Sequence, residues 1–433
     1  MSTLLILPTQ LFAQSLSFWL KWENVILYED PYYINNNVLP LKLWFHKSAM
    51  LEYFDAIKTK HKIYVSSTSK LHLPSSYSMY HPTDRKMILK YKKASFMETP
   101  MFLLRIDELS NMDTSIQNSF YKKMRIKYDI LMKGDKPIGG EWSFDKENRN
   151  KYPKGYTNNP VLTKHFTNKY IVQSKPSSCE HMLWPTNRKD SIKWLSTFVQ
   201  SRLHSFGPYQ DAIDRNVLLG EHSGLSPMLN IGLVTPIDVL RLVEKQNVPI
   251  ESKEGFIRQI IGWREFIRMK YILHGNGNWN YLKNMNNSLP RSWYTATTGI
   301  DTLDWSISRV LKTGYVPHIE RLMLLLNYAT LLQLKYSDVK KWFINMFIDG
   351  YDWVMLNTLM GVNSLGPNNR FMTRVYLTNG TYLKKMGLTI PKADMDNLKI
   401  LYDRFIMNNK QLVSKDYRLA SIVSRKLNID KGK

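Results

Sequence analysis

The chain has almost no cysteine. Cys179 stands alone in 433 residues, which excludes an intrachain disulfide framework and any metal site built from four thiolates. A reducing compartment fits that usage. Long apolar runs are also missing: nowhere do roughly 18 apolar residues follow one another unbroken, as a membrane-spanning helix requires. The apolar stretch within residues 3–20 is interrupted by Pro8, Gln10 and Gln14 and follows no Lys or Arg, so neither a transmembrane helix nor a secretory signal is expected. Acidic side chains are in short supply, 36 against 60 Lys and Arg, for a formal net charge of +24. A polyanionic partner suits that surplus, and with 12% aromatic residues interleaved the natural candidate is nucleic acid. The alternative is a solvated basic surface left by a Lys-, Asn- and Ile-rich coding bias.

What is present reads as a globular chain, 43% hydrophobic and 22% charged, long enough for two cores. Leu4-Leu-Ile-Leu7, Val25-Ile-Leu-Tyr28 and Lys62-Ile-Tyr-Val65 are short apolar runs. Between the last two lies a helix-length segment, Leu41 to Ile57, whose Leu43, Met50, Phe54 and Ile57 can share a face. Strand, helix, strand with continuous apolar strands is the pattern of a parallel α/β layer. Residues 1–130 are therefore expected to form an α/β domain. Residues 131–160, rich in Gly, Pro, Asn and Lys, form a polar connector, and residues 161–433 an all-helical domain.

Residues 254–268 organise the helical part. Phe256, Ile260, Trp263 and Ile267 recur at helical spacing, and Ile257, Ile261, Arg264 and Arg268 line a neighbouring stripe. Such a helix is buried on most of its circumference, so Arg258, Arg264, Glu265 and Arg268 need partners, because an unpaired buried charge costs several kcal/mol. Either an internal ion-pair network or a bound polar cofactor meets that need. Further on, Ser223 and Ser226 stand beside a turn into a helix at Pro227, which suits a phosphate or a plain serine cap. His318 and Arg321 share a helix face. A lone His among apolar residues is either a hydrogen-bonded core residue or a group that exchanges a proton near neutral pH.

Arg258-Gln-Ile-Ile-Gly-Trp-Arg-Glu265 resembles the core helix of the photolyase/cryptochrome flavoproteins, most closely the prokaryotic (6-4) photolyase branch that carries an iron-sulfur cluster. Three other phrases share the likeness: Leu5-Ile-Leu-Pro-Thr-Gln-Leu11, Gly139-Gly-Glu-Trp-Ser-Phe-Asp-Lys-Glu-Asn-Arg149 and Glu221-His-Ser-Gly-Leu-Ser-Pro-Met-Leu-Asn230. The resemblance covers most of residues 120–385, and the first 65 weakly. It implies a Rossmann-like parallel α/β domain followed by a helical FAD-binding domain. The implied activity is light-driven repair, in which photoexcited reduced FAD gives an electron to a UV pyrimidine photoproduct flipped out of DNA. The implied lesion is the (6-4) photoproduct, with cyclobutane-dimer repair and a cryptochrome-type photoreceptor without repair as alternatives. UV-damaged DNA is the implied partner of a monomeric protein in an intracellular, DNA-containing compartment.

Carried over residue by residue, the resemblance places Ser223, Leu225 and Ser226 at the FAD diphosphate. Arg264, Arg321, Asp349 and Met355 belong at the cofactor, with Met355 facing flavin N5. His318 is the proton partner of the lesion, Tyr376 its neighbour, and Gln259 a lesion contact, although it lies four residues before Trp263 where relatives have three. Trp342, Trp293, Tyr294 and Trp305 are the electron-transfer candidates; Lys122, Lys123, Trp263 and Leu322 are the DNA-binding ones. Departures are informative. Thr302 replaces the first cluster cysteine and residues 386–402 contain no cysteine, so no iron-sulfur cluster or other metal is expected. Pro8-Thr9 replaces a Gly-Asp pair near the light-harvesting site of many relatives, leaving the identity of any antenna chromophore open. Phe343 replaces a Tyr of the electron chain, and a thioether at Met355 cannot donate a proton.

Overall fold

The computed structural model describes residues 2–113, 116–156, 165–275, 285–363 and 377–415. The three apolar runs become β1 (Thr3–Ile6), β2 (Asn24–Tyr28) and β3 (His61–Val65). Two short strands not anticipated from the sequence, β4 (Ser78–Tyr80) and β5 (Ser95–Met97), complete a sheet of order β3-β2-β1-β4-β5 in which every pairing is parallel. The central strand is sealed on both faces, with Leu4, Leu5 and Ile6 at 0% exposure, as parallel sheets flanked by helices require.

The helix between β2 and β3 runs Pro40–Ala56, opened by a proline that suits a first helical turn. Its buried stripe passes through Leu41, Trp44, Phe45, Ala49, Met50 and Tyr53, whereas Leu43 and Phe54 are only partly covered. The chain reverses direction across the sheet between β1 and β4, where doubly wound folds open a crevice at the strands' carboxyl ends. Gln10 occupies that point here. It accepts from the Leu7 amide at 3.1 Å and donates to the Tyr80 carbonyl at 2.7 Å.

Beyond the sheet and a two-stranded antiparallel hairpin, Met132–Lys133 with Lys136–Pro137, the described chain is mainly helical, and one apolar core runs through both parts. The stretch expected to be a single buried helix is built from Ile250–Ile257, a π-helical segment Arg258–Arg264, and Glu265–His274. A second π-helical segment, Arg321–Leu326, follows the short turn His318–Glu320. π-Helical turns are rare and gather at functional sites; each of these carries an arginine of the cavity described below.

The expected partners of the buried charges on the central helix are mostly internal. Glu254 accepts from Arg258 at 3.1 Å. Glu265 accepts from the Leu103 and Leu104 amides at 2.7 and 3.4 Å, and Arg268 donates to the Leu104 carbonyl at 2.6 Å. The two parts of the molecule are also joined by main-chain bonds, Leu11 N–H to the Ile231 carbonyl at 2.8 Å and Leu39 N–H to the Asn345 carbonyl at 2.9 Å. Gly232 ends the helix Ser226–Ile231 at φ +90°, and a Cβ there would sit 2.6 Å from the Phe12 ring. Only glycine allows that close approach. No helix among the described residues is long and apolar enough to cross a membrane.

Candidate functional site

Phe256, Ile260, Trp263 and Ile267, the stripe read from the sequence, all face one cavity of about 210 Å³ that opens to solvent. Opposite them stand Ser223, Leu225 and Ser226 from the turn into helix Ser226–Ile231, Tyr315, His318 and Arg321, and the segment bearing Asp349 and Trp353. Residues scattered over more than a hundred positions thus share one wall-to-wall space.

Its polar framework centres on Asp349, buried at 3% exposure. Arg321 meets its two carboxylate oxygens at 2.9 and 3.0 Å and turns its remaining Nε–H to the Val316 carbonyl at 2.8 Å. The Ser226 hydroxyl donates to the same carboxylate. Because that hydroxyl is so engaged, and no side chain caps the helix from Leu225, the plain serine-cap reading does not apply to Ser226. Asn230 joins Asp349 to Arg264: its amide donates to the Asp349 carbonyl at 3.0 Å and its oxygen accepts from Arg264 at 3.0 Å. Arg264 also donates to the Leu229 carbonyl at 3.2 Å and lies 4.6 Å from the Phe102 ring centroid and 4.8 Å from that of Trp353. Burial pushes Arg264 down to about 9, with Arg268 in the same direction and Glu265 opposing, so it keeps its charge at neutral pH.

His318 lines the cavity and is exposed to it. Desolvation, then Arg321, push its pKa down to about 4, with Asp349 opposing. The imidazole is therefore neutral at pH 7. Trp263 packs edge-on against it, ring centroids 5.7 Å apart. Gln259 lines the same cavity. His222, also lining it, is pushed down to about 4 by desolvation and by Arg202.

Residues 69–177 match the family described as "Deoxyribodipyrimidine photo-lyase-related protein". Over 330 residues the chain is 31% identical to the (6-4) photolyase of Agrobacterium fabrum (strain C58 / ATCC 33970), an alignment covering 70% of this chain and 64% of that protein. The fold is shared with a bacterial class III photolyase from Agrobacterium tumefaciens, at TM-score 0.60 and 12% identity over 94% of this chain and 98% of that one. It is shared too with a cryptochrome from Synechocystis sp. PCC6803, at TM-score 0.61 and 13% identity over 95% and 99%. In sequence and in fold the chain is thus similar to photolyases and cryptochromes. It spans somewhat less than two thirds of its curated Agrobacterium fabrum relative's length.

The likeness to photolyases and cryptochromes implies FAD, and the cavity's chemistry fits it. His222 Nε2 and Arg264 Nε are buried without a protein partner, and both belong to residues lining the cavity, beside two serines and Arg321. Donors left over in a mostly satisfied site suit an oxygen-rich, anionic ligand.

Of the family residues expected from the sequence, Ser223, Leu225, Ser226, Gln259, Trp263, Arg264, His318, Arg321 and Asp349 come together at this cavity. Met355 does not line it and is fully buried. Leu322, expected against DNA, is also buried, at 1% exposure. Lys122 and Lys123 are exposed on helix Gln117–Tyr128. Tyr376 lies outside the described residues.

Among the electron-transfer candidates, Trp342 and Trp293 are both buried and edge-to-face, centroids 5.3 Å apart, and Trp342 Nε1–H donates to the Trp293 carbonyl at 3.0 Å. Trp342 also packs 5.9 Å from Phe347, whose ring lies 4.3 Å from the Arg321 guanidinium. Tyr294 is 42% exposed. The guanidiniums of Arg309, at 4.6 Å, and Arg215, at 5.6 Å, lie over the Trp305 ring and oppose the positive charge that oxidation would leave on it. Thr302 is buried, and both its amide and its hydroxyl donate to Asp394. Sequence reasoning missed Asn230, His222, Tyr315 and Trp353. Asn230 stood inside a quoted phrase, but nothing in the sequence marks it as the link between Arg264 and Asp349.

Proposed function

We propose that this protein is a light-driven DNA-repair flavoenzyme acting on the (6-4) photoproduct. The observation that carries the reading is that one cavity holds the expected diphosphate residues, the Arg321–Asp349 pair and His318. Held by these residues, reduced FAD would supply light-driven electron transfer to a pyrimidine photoproduct. The protein's own groups bind and orient. Ser223 and Arg264 offer donors to the cofactor, while the buried Arg321–Asp349 pair, held by Ser226 and Asn230, presents a fixed charge pattern to it. His318, neutral at pH 7, can accept a proton from the lesion at an imidazole nitrogen and return it. Trp263 and Gln259 would flank a base turned out of the duplex. Trp342 with Trp293 offers a buried route for electrons that bypasses Phe343.

The net charge of +24, with Lys122 and Lys123 on the surface, supports phosphate contacts whose affinity falls with salt. Action on DNA places the protein in a DNA-containing compartment. A light-harvesting chromophore has room in a second cavity, about 440 Å³, between the sheet-bearing part and helix Tyr336–Met346, where Tyr32, Tyr33, Lys86 and Lys340 meet.

The test is anaerobic illumination of the flavin-loaded, reduced protein with oligonucleotides carrying each defined lesion, followed by product analysis. Restoration of the (6-4) lesion alone is expected. Turnover of cyclobutane dimers instead would reassign the substrate, and flavin photoreduction without turnover of either lesion would make the protein a photoreceptor.

A further inference from the structure

A lysine from the sheet-bearing part of the molecule reaches the segment that carries Asp349. Lys42, on helix Pro40–Ala56, is 3% exposed. Its ammonium donates to the Ile344 carbonyl at 2.7 Å and the Gly350 carbonyl at 2.5 Å, and lies 4.8 Å from the Tyr351 ring centroid. One turn further along, His46 Nε2 meets the Tyr351 hydroxyl at 3.0 Å. The two carbonyls bracket Phe347, which stacks on Arg321, and Asp349, which Arg321 grips.

Keeping an ammonium in so buried a place is costly, and a methionine of similar length would fill the space more cheaply. Only a multivalent donor, however, can tie both ends of that segment to a helix in another layer. Burial draws the Lys42 pKa down to about 7, with Asp349 and Asp84 opposing. Charged or neutral, the amine keeps a hydrogen for each carbonyl.

We propose that Lys42 is a positioning residue for the cofactor site, fixing Asp349 and Phe347 against Arg321 so that the sheet-bearing part of the molecule governs how tightly flavin is held. The proposal rests on the FAD reading above. It would also explain why helix Pro40–Ala56, far from the cavity in sequence and contributing nothing to its lining, carries a buried charge.

The experiment measures FAD dissociation constants by flavin fluorescence, and flavin midpoint potentials, for the full-length wild type and for K42M, K42R, D349N and K42M/D349N, with far-UV circular dichroism to confirm folding. K42M should weaken FAD by about tenfold or more and shift the potential, whereas in the D349N background the same change should cost less than about threefold, since coupled residues are non-additive. K42R, which keeps a multivalent donor, should recover part of the loss.

Wild-type affinity and potential in folded K42M would overturn the proposal, as would equal losses in both backgrounds. If K42M does not fold, K42A with K42A/D349N carries the test in the same way. Failure of both to fold would overturn the proposal by making Lys42 a general core residue. A wild type that binds no FAD would instead refute the cofactor reading, and is told apart because every variant then reads alike.

Discussion

Arg321 and Asp349, 28 residues apart in the chain, meet in a buried bidentate pair at 2.9 and 3.0 Å. Ser226 and Asn230 close on the same aspartate from a third segment. Removing one partner leaves the other's charge buried and uncompensated, which costs about 3–5 kcal/mol. R321M and D349A should each lose stability of that order in urea denaturation. The double variant R321M/D349L should lose clearly less than the sum, and all three should purify with a reduced flavin-to-protein absorbance ratio.

His318 should be separable from the cofactor. Its ring touches the cavity but takes no part in the Arg321–Asp349 framework, so H318A should keep its flavin spectrum. Its repair of the (6-4) lesion should fall by about 100-fold or more, within the range usual for loss of a proton-transfer group. Undiminished turnover in single-turnover illumination would remove His318 from the reaction.

Acid sensitivity has an identifiable source in His46. The residue is fully buried, and desolvation, then Lys42, push its pKa down to about 3, against about 6.5 in an unfolded chain. Between those values the unfolded state binds the extra proton, so the stability that depends on neutral His46 is complete above about pH 6.5 and is lost as pH falls. At about 1.4 kcal/mol per pH unit, roughly 2 kcal/mol should have gone by pH 5. Urea titrations at pH 7 and pH 5 should show that loss in wild type and a correspondingly smaller one in H46Q.

Trp342 is the buried indole that joins Trp293 to Phe347 beside Arg321. W342F should slow light-driven flavin reduction by about tenfold or more while leaving FAD affinity within about threefold, since a phenyl ring fills most of the volume but is much harder to oxidise. Repair by chemically reduced W342F should be unaffected. Equal photoreduction in W342F and wild type would place the electron route elsewhere.

Thr302 and Asp394 link helix Asp301–Thr313 to helix Lys392–Asn408, at the position where the resemblance leads one to look for a cluster cysteine. T302V keeps the shape and removes the hydroxyl, so it should lower stability by about 1–3 kcal/mol. Incubation with an iron chelator should leave the wild-type melting temperature unchanged.

The strands β1 and β2 were legible because parallel strands sealed on both faces must be continuous apolar runs; β3, an edge strand with Ile63 49% exposed, was legible only as a short β-branched and aromatic run, and β4 and β5, three residues each, are too short to carry such a signal. The stripe Phe256, Ile260, Trp263 and Ile267 was equally legible, since side-chain periodicity is a local property. Its interruption by a π-helical segment at Arg258–Arg264 was not, because the preference for a wider turn is set by what packs against it.

Local patterning and the resemblance of short phrases thus determined the class of fold, the buried central helix and most of the residues that meet in the cavity. Tertiary structure alone decided which charges are paired within the protein and which face the cavity. It turned Ser226 toward Asp349, made Asn230 the bridge to Arg264, and brought Lys42 from helix Pro40–Ala56 to the carbonyls around Asp349. Hydrogen bonds and ion pairs act over about 3 Å, and such distances between residues tens or hundreds of positions apart exist only once the helices and the sheet have packed.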